Sequence, residues 1–331
     1  MKKLYKFGFI GTGAWGSALA NVLSENGHNV IMYGIDKVEV DDINNGYNQK
    51  YFWSLPFYAP DKIKATLDFD EVVLNSENIV LAVPANTLKG ILKQMHHSLK
   101  NRKVNIVNLS KGIESVSEMF FSDFIQHRFK RNLKNLVSLV GPSFAIEVFQ
   151  KEVTIINILG TNSDYCQEIM SYFNNRYFQL RHQKNVLGSE LFSALKNVLA
   201  IGLGILSNHT NSNNTVAAII TIGVNEILDI YKVISGNDDV KMGFDFAGIG
   251  DVFLTCNSSK SRNYMFGNQI SEFGISKALE NNSKTIEGYQ TAKILAKMLK
   301  EKQIETKLFQ SIIDILFNKK EPILLTDFLV N

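Results

Sequence analysis

A lysine inside an apolar helical stretch is the first residue with chemistry to offer. In Glu190-Leu191-Phe192-Ser193-Ala194-Leu195-Lys196-Asn197 an ammonium and an amide stand side by side, and apolar sequence runs on past them. Burying an ammonium is costly unless it is paired, solvated or used. Lys196 is therefore either a lysine snorkelling out of its helix or a proton donor. A second lysine, in Ser110-Lys111-Gly112, follows an apolar run, and on position alone it is as readily a solvated strand end. Two ammonium groups brought together lower each other's pKa from the ordinary value of about 10.4, toward a working range. Further on, Gly250-Asp251 leads through Thr255-Cys256 into Ser261-Arg262-Asn263. Arg262 offers bidentate bonds suited to phosphate, and Asn263 adds a neutral donor. A helix starting near Ser261 would add free backbone N–H groups. Taken alone, the same residues describe a surface arginine in a loop. Glu287, in Thr285-Ile286-Glu287-Gly288, is most simply a first-turn acid favouring a helix dipole.

The reaction that would use such lysines is hydride transfer to a carbonyl, which leaves negative charge on oxygen for a donor to neutralise. The N-terminus carries a unit that would supply the hydride. Lys6 to Ile10 is a short apolar strand, followed directly by Gly11-Thr12-Gly13-Ala14-Trp15-Gly16. Ala18, Leu19, Val22 and Leu23 then fall at helical spacing, Asn29 to Tyr33 is a second strand, and Asp36 stands just past its end, 20 residues after Gly16. Each glycine has a task in binding a dinucleotide: Gly11 permits the tight turn, Gly13 leaves room for the pyrophosphate, and Gly16 lets helix approach strand. The helix N-terminus offers N–H groups and positive potential to the phosphates. The Asp36 carboxylate suits ribose hydroxyls and would repel a 2′-phosphate, which favours NAD(H) over NADP(H); otherwise it simply ends a strand in solvent. Trp15 reads as a packing residue at the cofactor cleft.

The elements that must position these residues alternate. Strands are expected at Ile79–Val83, Val104–Leu109, Leu136–Val140, Thr154–Leu159 and Phe178–Leu180, and helices near Leu88–Met95, Val116–Phe129 and Tyr165–Phe173. In open parallel sheets ligands sit at the carboxyl ends of the strands, so Asp36, Pro84, Lys111 and Ser143 should line one crevice. After about residue 184 strand signals fade, and Val186–Leu206, Val216–Ile234 and Thr285–Leu299 read as helices. The fold class is α/β: a Rossmann-type parallel-sheet domain over 1–184, then a mostly helical substrate-binding and catalytic domain over 185–331.

Composition agrees with a two-domain globular enzyme of 331 residues, 45% hydrophobic and 20% charged. A net charge of +3 is too balanced to argue for nucleic acid or a membrane surface. Cys166 and Cys256 form no metal-ligand spacing, so no metal is expected. The Met1-Lys2-Lys3 start is expected to lead into a first strand rather than the apolar core of a signal peptide. No apolar run is expected to approach the roughly 18 to 20 residues that span a bilayer, and the cytoplasm is the expected compartment. The helical half has room for a homodimer interface, though no stripe of residues marks one.

Taken together, these stretches resemble the bacterial NAD(P)-dependent glycerol-3-phosphate dehydrogenases from about Lys6 to about residue 300. The carriers are Gly11 to Gly16 with Ala18-Leu19-Ala20, Ala82-Val83-Pro84, Ser110-Lys111-Gly112-Ile113-Glu114, Gly141-Pro142-Ser143-Phe144-Ala145-Ile146-Glu147, Ala194-Leu195-Lys196-Asn197, Gly250 to Cys256, Ser261-Arg262-Asn263 and Glu287-Gly288. The resemblance implies reduction of dihydroxyacetone phosphate to sn-glycerol 3-phosphate, a phospholipid precursor. It implies Lys196 as general acid/base, Lys111 as its partner at cofactor and substrate, Gly141 and Ser143 at substrate, and Asp251 orienting lysine and substrate. It also implies Ser261, Arg262 and Asn263 at the phosphate, with Arg262 reaching the cofactor. Ala14, Trp15 and Ala145 would lie at the cofactor, and Thr285 and Glu287 near its adenosine side. The chain departs from the family where Ile35 and Asp36 replace the usual Arg or His, where Ile222 replaces the arginine of Thr-Arg-Gly, at Asn185, and at Phe192-Ser193. Two rival readings are a related hydroxy-acid dehydrogenase and a non-catalytic NAD-sensing module.

Overall fold

The computed structural model describes residues 5–210, 212–282 and 286–329. The chain divides into two compact units: residues up to Glu114 with Phe121–Val186, and Ser115–Phe120 with the chain from Leu187 onward.

The first unit is built on eight strands: β1 (Tyr5–Ile10), β2 (Val30–Tyr33), β3 (Ile63–Thr66), β4 (Ser76–Leu81), β5 (Val104–Asn108), β6 (Leu133–Val140), β7 (Thr154–Leu159) and β8 (Phe178–Gln183). Its helices are α1 (Ala14–Glu25), α2 (Lys37–Asn44), α3 (Gln49–Phe52), α4 (Phe69–Asn75), α5 (Leu88–Leu99), α6 (Phe121–Phe129), α7 (Ala145–Phe149) and α8 (Ser163–Phe173). The sheet order is β3-β2-β1-β4-β5-β6-β7-β8. Because successive residues of a strand face opposite sides, the sheet carries two cores. Phe9, Val80 and Val107 join Leu19 and Phe173 on one face. Ile10, Leu81 and Ile106 join Leu92 and Phe124 on the other. Strand order reverses between β1 and β4, which opens a crevice at their carboxyl ends.

Three expectations need correction. The sheet is not wholly parallel, since β6 and β7 pair antiparallel. A five-residue α7 carries the chain back only about 7.5 Å, against the roughly 26 Å covered by an eight-residue strand, so the chain re-enters the sheet from the same end. The helix expected from Val116 starts at Phe121, because Glu118 adopts a left-handed φ of 57° that no α-helix accommodates. Finally, one apolar segment does reach bilayer length: the 21-residue helix α9 (Val186–Leu206) is long and apolar enough to span a membrane, but its apolar window is wholly buried inside the protein.

Around α9 the second unit assembles α10 (Asn213–Ser235), α11 (Asp251–Cys256), α12 (Arg262–Phe273), α13 (Ile275–Glu280), α14 (Glu287–Lys302) and α15 (Leu308–Phe317). Helices α9 and α12 meet backbone to backbone. A Cβ on Gly204 would lie 1.9 Å from the Tyr264 carbonyl oxygen, and one on Gly267 2.0 Å from that of Ile201. With no side chains between them, α12 is pinned against the helix that carries Lys196.

Candidate active site

In the first unit the glycine loop leaves β1 and opens α1. Gly11 has φ of +114°, and a Cβ there would strike the Ala82 carbonyl oxygen at 2.4 Å. Gly16 brings α1 against β4's exit, where a Cβ would meet that of Ala82 at 2.8 Å. At Gly13, by contrast, a Cβ would meet nothing within 4 Å. Gly11 and Gly16 are thus required by the protein itself, whereas Gly13 faces open space. No side chain caps the N-terminus of α1 at Gly13, so its first N–H groups and partial positive charge are available to an anion. That cradle fits a pyrophosphate. Ala14 is the first residue of α1. Trp15 is half-buried, with its ring 6.5 Å from that of Phe178.

Asp36 lies exposed past the end of β2 and acts as the N-cap of α2, its Oδ1 accepting from the Val38 N–H at 2.9 Å. The helix cap engages only this one of its two oxygens. Next along the sheet edge, Asn108 closes the end of β5: its amide donates to the Ser110 carbonyl at 3.1 Å and accepts from the Ser110 N–H at 3.0 Å. This local ring turns the chain so that Lys111 leaves the strand end. Lys111 Nζ donates to the Gly141 carbonyl at 3.3 Å, and Ser143 Oγ donates to the same oxygen at 3.1 Å. Lys111, Gly141 and Ser143 are therefore gathered on one carbonyl, from β5 and β6. Ala145 opens α7 nearby.

In the second unit, Lys196 is almost wholly buried. Its Nζ lies 2.6 Å from Asp251 Oδ1, with side-chain exposures of 5% and 2%. It also donates to Thr255 Oγ1 at 2.8 Å. Thr255 in turn donates toward Asp251 Oδ1 at 3.4 Å, and the two lie one turn apart on α11. An ion pair so buried survives only with good geometry and further hydrogen bonds; Thr255 supplies one. The Cys256 thiol lies 3.9 Å from the Lys196 carbonyl. Burial pushes this thiol up to about 12, with smaller opposing effects from Lys196 and Asp251, so it stays protonated and takes no nucleophilic part. Thr255 was visible in the sequence only as a member of a motif, without a role.

The phosphate-side candidates converge at the start of α12. Ser261 is its N-cap, the hydroxyl accepting from the Tyr264 N–H at 3.3 Å. Arg262 is the first helical residue; its guanidinium is 60% exposed and 3.7 Å from Glu287. Asn263 Oδ1 accepts from the Gly288 N–H at 2.9 Å, which leaves its amide N–H groups for a ligand. A Cβ on Gly288 would lie 2.5 Å from the Asn197 carbonyl oxygen and 2.9 Å from Asn263 Oδ1. Glycine here lets the Glu287 end of α14 seat against α9 and α12 together. Thr285 lies outside the described residues. Among the described residues no group of three or more His, Cys, Asp or Glu is arranged to hold a metal ion.

Residues 6–166 match the family described as the NAD-dependent glycerol-3-phosphate dehydrogenase N-terminus. Residues 185–327 match the corresponding C-terminus. The chain is 37% identical over 316 residues to a glycerol-3-phosphate dehydrogenase acting with NAD(P)+ from Malacoplasma penetrans, covering 95% of this chain and 92% of that protein. It is 35% identical over 317 residues to the enzyme of the same description from Mesoplasma florum, covering 95% and 94%. The crystal structure of glycerol-3-phosphate dehydrogenase from Coxiella burnetii superposes with a TM-score of 0.87 at 25% identity, covering 99% of each chain.

Proposed function

The chain belongs to the NAD-dependent glycerol-3-phosphate dehydrogenase family and is an NAD(P)-dependent oxidoreductase, and from that premise we propose that Lys196 is its proton donor, acting on dihydroxyacetone phosphate with NADH preferred. The observation that supports this most is the buried Lys196–Asp251 pair at 2.6 Å, in the second of the two matched regions.

Bound at the Gly11–Gly16 cradle, NAD(P)H supplies a hydride. The chain's own residues do the rest. The Asp251 carboxylate beside Lys196 favours the ammonium over the amine and fixes its direction, and Thr255 holds the third corner. As the C2 carbonyl gains charge, Lys196 Nζ donates a proton to its oxygen; in the reverse direction the amine takes it back. Lys111, Gly141 and Ser143 contact the substrate from the sheet edge, and Lys111 also meets the cofactor. At the phosphate end, Arg262 makes charge-assisted bonds while Ser261 and Asn263 add neutral donors and α12 adds its N-terminal dipole. Ala14, Trp15, Ala145, Arg262, Thr285 and Glu287 complete the cofactor side. The product is sn-glycerol 3-phosphate for phospholipid synthesis, in the cytoplasm. Its partners on this reading are the small-molecule substrate and the cofactor, without metal, nucleic acid or inserted membrane segment.

The NADH preference rests on Asp36, whose uncapped oxygen suits a ribose diol and would repel a 2′-phosphate. Absorbance of NADH and NADPH, followed in parallel with dihydroxyacetone phosphate, tests both parts. Faster oxidation of NADH supports the whole reading. Faster oxidation of NADPH retains the reaction and removes the role of Asp36. Binding without oxidation of either would bring forward a sensor or a different substrate.

A further inference from the structure

The glycine loop is held from behind by a residue far along the chain. Asn48 is fully buried and occupies the N-cap position of α3, where asparagine ordinarily bonds its own helix. Its side chain makes no such bond. Its amide nitrogen instead donates to the Thr12 carbonyl and to Ser17 Oγ, each at 2.9 Å. Ser17 Oγ donates to the same Thr12 carbonyl at 3.1 Å. That carbonyl can only accept, which fixes the amide's orientation and leaves Asn48 Oδ1 without a partner among the described residues. The Thr12 side chain is held as well: its hydroxyl donates to Glu39 Oε2 at 2.6 Å, and the buried Glu39 pairs with Lys50.

The consequence lies in the next peptide group. A trans peptide is planar, with C=O and N–H pointing in opposite directions. With the Thr12 carbonyl drawn toward Asn48 and Ser17, the Gly13 N–H is turned the other way. Gly13 is the loop glycine beside which a Cβ would meet nothing, and among the described residues no protein acceptor takes its N–H. A buried amide that leaves its own oxygen unsatisfied, to hold one carbonyl, is costly, and that cost has a purpose if the orientation of this peptide matters.

We infer that Asn48 is a positioning residue for the cofactor: through the Thr12 carbonyl it sets the direction of the peptide group joining Thr12 to Gly13, with the Gly13 N–H aimed at a dinucleotide phosphate. The inference rests on reading Gly11–Gly16 as the cofactor cradle. Asn48→Asp keeps size and shape but replaces the donating amide with oxygen. The dissociation constant for NADH, by fluorescence titration, rises about tenfold, equivalent to 1.4 kcal/mol, while kcat at saturating NADH and KM for dihydroxyacetone phosphate stay within about twofold, as expected if the lost buried hydrogen bonds act only on cofactor binding. Ser17→Ala, which removes one of the two acceptors and one donor to Thr12, gives about a threefold rise and decides the matter if Asn48→Asp does not fold. Unchanged NADH affinity in a folded Asn48→Asp, or in Ser17→Ala if that variant alone folds, overturns the inference, as does a matching rise in the substrate KM, which would mark a merely structural role. Gly13→Val separates the two levels: if it leaves NADH affinity intact, the cradle itself has been misread; if it abolishes binding while Asn48→Asp does not, only the role of Asn48 is lost.

Discussion

In the first unit, the proposed cofactor cradle is made of backbone. Gly11, Gly13 and Gly16 act through what they lack, and α1 presents uncapped N–H groups. In the helical unit the proposed proton donor is held by side chains: Lys196 meets a threonine 59 positions away, beside a carboxylate on the same α11 turn, all nearly excluded from water. The difference teaches where each half is vulnerable. A backbone cradle tolerates changes around it provided that no atom enters its space and its peptide planes keep their direction. A buried ion pair depends on both partners at once, because removing either leaves an uncompensated charge.

The largest expected effect falls on the side-chain half. Lys196→Ala lowers kcat by roughly 10²- to 10⁴-fold, the usual range for a lost general acid, with the NADH dissociation constant unchanged by titration. Asp251→Ala removes the carboxylate beside the buried ammonium and lowers unfolding stability by about 3–5 kcal/mol in denaturant melts; a loss below about 1 kcal/mol would mean that the remaining partners of Lys196, Thr255 among them, suffice to hold its charge. Arg262→Ala removes a charge-assisted bond from an exposed position, so KM for dihydroxyacetone phosphate rises roughly tenfold to a hundredfold with a smaller change in kcat. In the first unit, Asp36→Ser with Ile35→Arg shifts the ratio of kcat/KM toward NADPH; an unmoved ratio would place the ribose elsewhere. The smallest effect concerns the thiols. Burial raises Cys166 to about 11 and Cys256 to about 12. Neither reacts with a disulfide reagent at pH 8 until the protein unfolds. Since the unfolded thiols ionise from about pH 9, the folded state holds more protons above that pH, and stability falls as pH rises through 9 toward 11–12.

Much of this was legible because some residues report on their neighbours in sequence. Gly11 to Gly16 follows a strand and precedes a helix, and the physical demands on each glycine are met within six positions. Lys196 announced itself because an ammonium in an apolar helix needs a reason. What stayed hidden was non-local. Nothing near Thr255 in sequence shows that its hydroxyl receives the Lys196 ammonium. Asn108 reads as a polar end to an apolar strand, although its amide builds the turn carrying Lys111. The short strand β3 carries only Ile63 and Ala65 as buried positions, too few for a period to show. The helix expected from Val116 failed because Glu118 takes a left-handed φ, and its carboxylate receives both 2.8 Å contacts from Lys297, 179 positions away.

The measurement that most directly tests the central claim is single-turnover oxidation of NADH by dihydroxyacetone phosphate in Lys196→Ala, with NADH binding measured on the same preparation. The account predicts normal NADH affinity and a hydride-transfer step slowed by at least about a hundredfold. Near-normal turnover with normal binding would contradict it, and the proton donor would then have to be sought at Lys111.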